Sequence, residues 1–133
     1  MRADQDLSAR CWLAEAGRDF QQEASPGLPG LRRVPTTSEE LLDNFDVIII
    51  GDVDPQRLSP DPLDGTRFIN AVSEFVTKGG GLLMLAGERH NPSSFRGTAL
   101  ESLLPVTLGR AAPRTESFTP LPADPLLPHP VVR

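Results

Sequence analysis

Cysteine, basic charge and long apolar runs are all scarce in this chain. Its one cysteine, Cys11, excludes an internal disulfide and any metal site built from several cysteines. Lysine and arginine number 13 against 18 acidic residues, which gives a net charge of −5. The only basic cluster is Arg32–Arg33, whereas phosphate binding needs a concentrated basic face. We therefore expect no nucleic-acid partner.

The apolar runs are too short to span a bilayer. The longest are 47–50 and 82–86, far below the roughly 20 residues that a membrane helix needs. The N-terminus is polar and acidic and no apolar stretch follows it, so we expect no signal peptide. These features predict a soluble chain that does not insert into a membrane. They leave the compartment open, and the cytoplasm is the one we favour.

Proline is the residue in excess. The chain has 14 prolines in 133 residues, about twice the usual share, so much of it must be irregular. Six of them fall in the last 21 residues, which predicts a Pro-rich extended arm over 110–133. The length fits one domain, and we place a single α/β domain at 1–109, with an irregular N-terminal part at 1–35.

The first 24 residues are compatible with two readings. Leu7, Cys11 and Ala14 have helical spacing and Ser8 could cap such a helix, but 11–13 could equally form a short strand. In either case we interpret Cys11 as a small buried apolar side chain and not as a reactive thiol. Two Pro and two Gly in 25–30 predict a loop.

A strand–helix–strand unit follows. The capping-box spacing of Thr37 and Glu40 predicts a helix start at 36 or 37, with Leu41 and Leu42 on its apolar side. The unbroken β-branched run 47–50 is typical of a parallel strand covered on both faces. Three prolines then predict a loop: Pro55, Pro60 and Pro62.

The second half of the unit is a helix and another strand. Apolar residues lie on one helical face between 67 and 77: Phe68, Ile69, Val72, Phe75 and Val76. Gly79 predicts the helix end, and 82–86 predicts a buried strand. Because the connection contains a helix, the strands should be parallel and joined in the right-handed sense.

The segment after Gly87 starts as a polar loop. Thr98 and Glu101 repeat the capping-box spacing and predict a short helix up to Leu104. Three leucines should pack inward from it: Leu100, Leu103 and Leu104. Residues 106–108 are compatible with a further short strand.

Ionisable residues follow both strands. Asp52 and Asp54 come after the first, and Glu88, Arg89 and His90 after the second. Because ligands of open α/β sheets lie outside the carboxyl ends of the strands, these five form a candidate ligand-binding site. The carboxylates and His90 could hold a divalent cation. Alternatively, Asp52 and Asp54 cap the following turn and pair with Arg57 or Arg89.

Other chemistry has little support. The G-x-S-x-G elbow of α/β-hydrolases is absent, and the closeness of Ser93 and Ser94 to His90 in sequence is not triad geometry. Gly79–Gly81 precede a strand, whereas dinucleotide and phosphate loops need glycines between a strand and a helix. His129 lies between two prolines and is most simply a solvated loop residue. We expect no cofactor.

The segments 45–55, 75–87 and 96–106 together resemble class I glutamine amidotransferase-like domains. The similar branch is found in bacterial membrane-anchored proteins that also carry von Willebrand factor A-type domains. The resemblance covers roughly 36–108, and more faintly His129–Pro130. It implies a three-layer, flavodoxin-like parallel sheet and a bacterial protein that associates with an envelope complex.

The same resemblance argues against glutaminase activity. Its nucleophilic cysteine would fall at Leu85 or a close neighbour, where no thiol is present. The family's C-terminal His and Glu find no match either, because His129 is not followed by the acid. Domains of this type continue past residue 133, so we expect a shortened sheet whose unpaired edges favour a protein partner or a homo-oligomer.

Two functions follow as hypotheses. The favoured one is a non-catalytic binding or scaffold domain with an amidotransferase-like fold. The alternative is a metal-assisted hydrolase or a small-ligand-binding enzyme, which requires convergence of four side chains: Asp52, Asp54, Glu88 and His90.

Overall fold

The computed structural model describes residues 7–17, 19–109, 116–117 and 119. Four regular elements occur in it: helix α1 (Ser38–Leu42), strand β1 (Val47–Ile50), helix α2 (Pro62–Thr77) and strand β2 (Gly81–Met84). There are also three single 3₁₀ turns: Pro55–Arg57, Ser93–Phe95 and Glu101–Leu103. Within the described ranges, β1 and β2 form a two-stranded parallel sheet. The predicted α/β class and parallel pairing are confirmed.

Helix α1 begins where the sequence predicts. Thr37 is the N-cap, and its Oγ1 accepts a hydrogen bond from the Glu40 amide at 3.2 Å. The Glu40 carboxylate reaches back to the amide of Thr36 and not to that of Thr37, so half of the predicted capping box is displaced by one residue. Leu41 is fully buried, but Leu42 is 39% exposed. The prediction that Leu42 faces the core is wrong, because successive residues of a helix point in different directions and Leu41 takes the buried one.

Helix α2 is longer than predicted. Asp61 is its N-cap and accepts a hydrogen bond from the Leu63 amide at 2.9 Å. Pro62 therefore occupies the first helical position, where its missing N–H costs nothing, and the prediction of a loop there is wrong.

The end of α2 is as predicted. Gly79 has a φ of +106°, its amide donates to the Val76 carbonyl, and the Gly80 amide donates to the Phe75 carbonyl. This is the Schellman pattern, which needs a left-handed residue that glycine supplies without strain.

The core lies on one side of the sheet. Ile48, Ile50, Leu82 and Met84 point to the side on which α2 packs. Helix α2 contributes five buried apolar side chains: Phe68, Ile69, Ala71, Val72 and Phe75. Two more core residues, Phe95 and Leu100, come from the segment after β2 and are fully buried.

The opposite side of the sheet is exposed. Val47, Ile49, Leu83 and Leu85 retain 54, 61, 48 and 50% of their accessible surface. The Leu85 amide continues the hydrogen-bond ladder to the Ile50 carbonyl. Because side chains alternate along a strand, Leu85 points to the same side as Leu83. We call these four side chains the open face. The prediction that β1 is covered on both faces is therefore wrong for the described part of the chain.

The N-terminal segment is extended and not helical. Arg10 and Ala24 form an antiparallel bridge, and the Cys11 amide donates to the Glu23 carbonyl at 2.8 Å. Cys11 is exposed, so its interpretation as a buried apolar side chain is wrong. The segment is attached to the body by Trp12, whose Nε1 donates to the Leu58 carbonyl at 2.7 Å.

The predicted helix at 98–104 contracts to the 3₁₀ turn Glu101–Leu103. The Glu101 carboxylate accepts from the Gly97 amide and the Thr98 hydroxyl donates to the Phe95 carbonyl, so both side chains stabilise the preceding turn. Leu100 is buried as predicted, and residues 106–108 do not form a strand. Except for 116, 117 and 119, the predicted arm at 110–133 lies outside the described residues, and the domain division stays a prediction.

No helix in the described ranges combines the length and apolar character needed to cross a membrane.

Candidate functional site

Asp52 ties the loop after β2 to the end of β1. Its carboxylate accepts hydrogen bonds from three consecutive main-chain amides, at 3.1 Å from Arg89, 2.7 Å from His90 and 2.8 Å from Asn91. These bonds favour the charged form. They lower the pKa of Asp52 below its usual value, with the Asn91 amide contributing most and the His90 amide next. Asp52 therefore acts as an anion that organises the loop.

Gly87 makes this arrangement possible. A Cβ at this position would overlap the carboxyl group of Asp52. The Gly87 amide donates to the Asn91 carbonyl at 2.9 Å, so the loop closes directly beside the aspartate. A glycine is required here because the Asp52 side chain approaches the backbone so closely.

Asn91 is the residue at this edge that sequence reasoning missed. It is only 2% exposed, and its side-chain amide donates to the carbonyls of Leu85 at 2.8 Å and Ile50 at 3.1 Å. It therefore connects the ends of both strands. Its Oδ1 is buried without a protein partner in the structure. The one sequence signal is that Asn91 directly follows the predicted site residues, because the burial of a single asparagine cannot be read from composition.

Asp54 has a local role. Its Oδ1 accepts a hydrogen bond from the Gln56 amide at 2.9 Å and caps the 3₁₀ turn Pro55–Arg57. Arg57 pairs with Glu15 at 2.9 Å, and not with either aspartate as the alternative reading supposed. The capping part of that alternative agrees with the structure for Asp54 and is wrong for Asp52, whose carboxylate accepts from the amides of residues 89–91.

The remaining predicted site residues lie on the same loop without converging. Glu88 and Arg89 are exposed and His90 is half-buried. In the described ranges, no group of three or more His, Cys, Asp or Glu side chains is arranged to hold a metal ion. The hypothesis of a cation held by Asp52, Asp54, Glu88 and His90 thus finds no geometric support there.

His90 and Ser94 form a loose pair. The Ser94 Oγ lies 3.4 Å from the His90 Nδ1, near the outer limit of a hydrogen bond. Activation of a serine also needs a third group that orients the imidazole. Asp52 contacts His90 through the main-chain amide, so it does not fill that role.

The amidotransferase resemblance would place its nucleophile at Leu85 or a close neighbour. The Leu85 amide donates to the Ile50 carbonyl, and the Leu85 carbonyl accepts from the side-chain amide of Asn91. The apolar side chain of Leu85 is half exposed. Leu85 thus contacts the loop after β2 through its main chain, while its side chain belongs to the open face. An open hollow elsewhere in the described residues is lined by Glu101 and by residues 104–108, and none of the predicted site residues lines it.

At this edge of the sheet, hydrogen bonds to Asp52 and from Asn91 stabilise the loop after β2, and the apolar open face lies beside it. Comparison of the chain with protein-family models, with curated proteins and with solved structures found no match in any of the three.

Proposed function

We propose that this chain is a non-catalytic binding domain on a frame similar to that of class I glutamine amidotransferases. The observation that carries the proposal is the open face, where four apolar side chains of a parallel sheet remain about half exposed. Parallel sheets are almost always covered on both faces. Exposed apolar surface beside a polar rim is typical of interaction sites.

The loop at the strand ends supports a binding role over a catalytic one. Both oxygens of the Asp52 carboxylate accept main-chain hydrogen bonds, and Asp54 caps a turn. Leu85 has no lone pair that could attack a carbonyl carbon. The polar groups of this edge therefore stabilise the loop.

We further propose that β1 and β2 belong to a three-layer, flavodoxin-like sheet. The support is that a single pair of short strands has little stability of its own. In this proposal the bound partner supplies the layer on the open face, which gives the sheet the usual double coverage.

Ammonia release from glutamine tests the non-catalytic character. We expect the full 133-residue chain to release no more ammonia than buffer does. A Leu85→Cys variant in a Cys11→Ser background should be equally inactive, because a thiol alone lacks the base that activates it. Ammonia release by the wild-type chain that a single substitution abolishes would contradict the proposal.

A further inference from the structure

We draw no further inference here: the strongest candidate, the open face of the sheet at Val47, Ile49, Leu83 and Leu85, carries none because nothing in the described residues shows what covers it.

Discussion

The Asp52 carboxylate binds His90 through the main-chain amide, with 2.7 Å between Oδ1 and N. Both residues belong to the ionisable set that the sequence places at the strand ends. The contact joins the side chain of Asp52 to the main chain of His90. It therefore stabilises the conformation of the loop and does not involve the imidazole ring.

Asp52→Asn should loosen the loop after β2. An amide accepts hydrogen bonds less strongly than a carboxylate, so hydrogen exchange at the amides of residues 89–91 should become faster. Asp43→Asn is the matched control, because it removes the same charge at the end of α1. Unchanged exchange at 89–91 in Asp52→Asn would show that the carboxylate does not hold the loop.

The same aspartate should contribute a pH-dependent part of the stability. Its folded-state pKa is lowered, so its contribution is complete above the unfolded-state pKa and is lost as the pH falls through the folded-state pKa. The difference in free energy of unfolding between wild type and Asp52→Asn should therefore be constant near neutral pH and shrink below the usual aspartate range. Urea titrations at a series of pH values measure it, and a difference that grows on acidification would contradict the assignment.

Gly87→Ala should destabilise the protein through Asp52. The added methyl group would overlap the carboxyl group, and the carboxylate would then have to leave its three amides. Overpacking of this kind typically costs ~1–3 kcal/mol, measured as the free energy of unfolding in urea. Gly51→Ala is the control, since a Cβ there has no neighbour within 4 Å. Equal stability of the two variants would show that the loop adapts freely.

Asn91→Ala should weaken the connection between the strand ends. It leaves the part-buried Leu85 carbonyl without its side-chain donor, and an unsatisfied polar group costs up to ~1–3 kcal/mol as its burial increases. Asn70→Ala, at an exposed position of α2, should change the free energy of unfolding by less than about 0.5 kcal/mol. Chemical denaturation of the two variants side by side checks this, and a loss no greater in Asn91→Ala than in the control would refute it.

Phe75→Ala should produce the largest loss of stability. Its ring is fully buried between α2 and the sheet, and Phe→Ala substitutions in cores cost ~3–5 kcal/mol. Phe20→Ala removes the same ring where it is 44% exposed and should cost much less. The denaturation midpoints of the two variants give the comparison. Similar midpoints would mean that the core does not depend on this ring.

The regular elements could be predicted because local signals determine them. Thr37 starts α1 by capping it, the β-branched run 47–50 forms a strand, and Gly79 ends α2 through a left-handed backbone. Each signal acts within a few residues. Pro62 shows the limit of such reasoning, because a proline disfavours the interior of a helix but suits its first turn.

The sequence indicates which residues meet at this edge of the sheet but not what they do there. The rule for parallel sheets directs attention to the end of β1, where the Asp52 carboxylate accepts hydrogen bonds from the amides of residues 89–91. Whether a carboxylate faces solvent or three amides depends on the path of a loop 37 residues away in sequence. The burial of Asn91 depends on the same path. The exposure of Ile49 depends on what packs over the sheet, which an apolar run does not specify.

Trp12 gives the protein an internal optical reporter. It is the sole tryptophan in a chain without tyrosine, so near-ultraviolet emission comes from one indole ring. That ring is fixed to the Leu58 carbonyl across 46 residues of sequence. Emission that shifts to the red before the helical signal is lost would therefore record release of the N-terminal segment as a step separate from unfolding of the body.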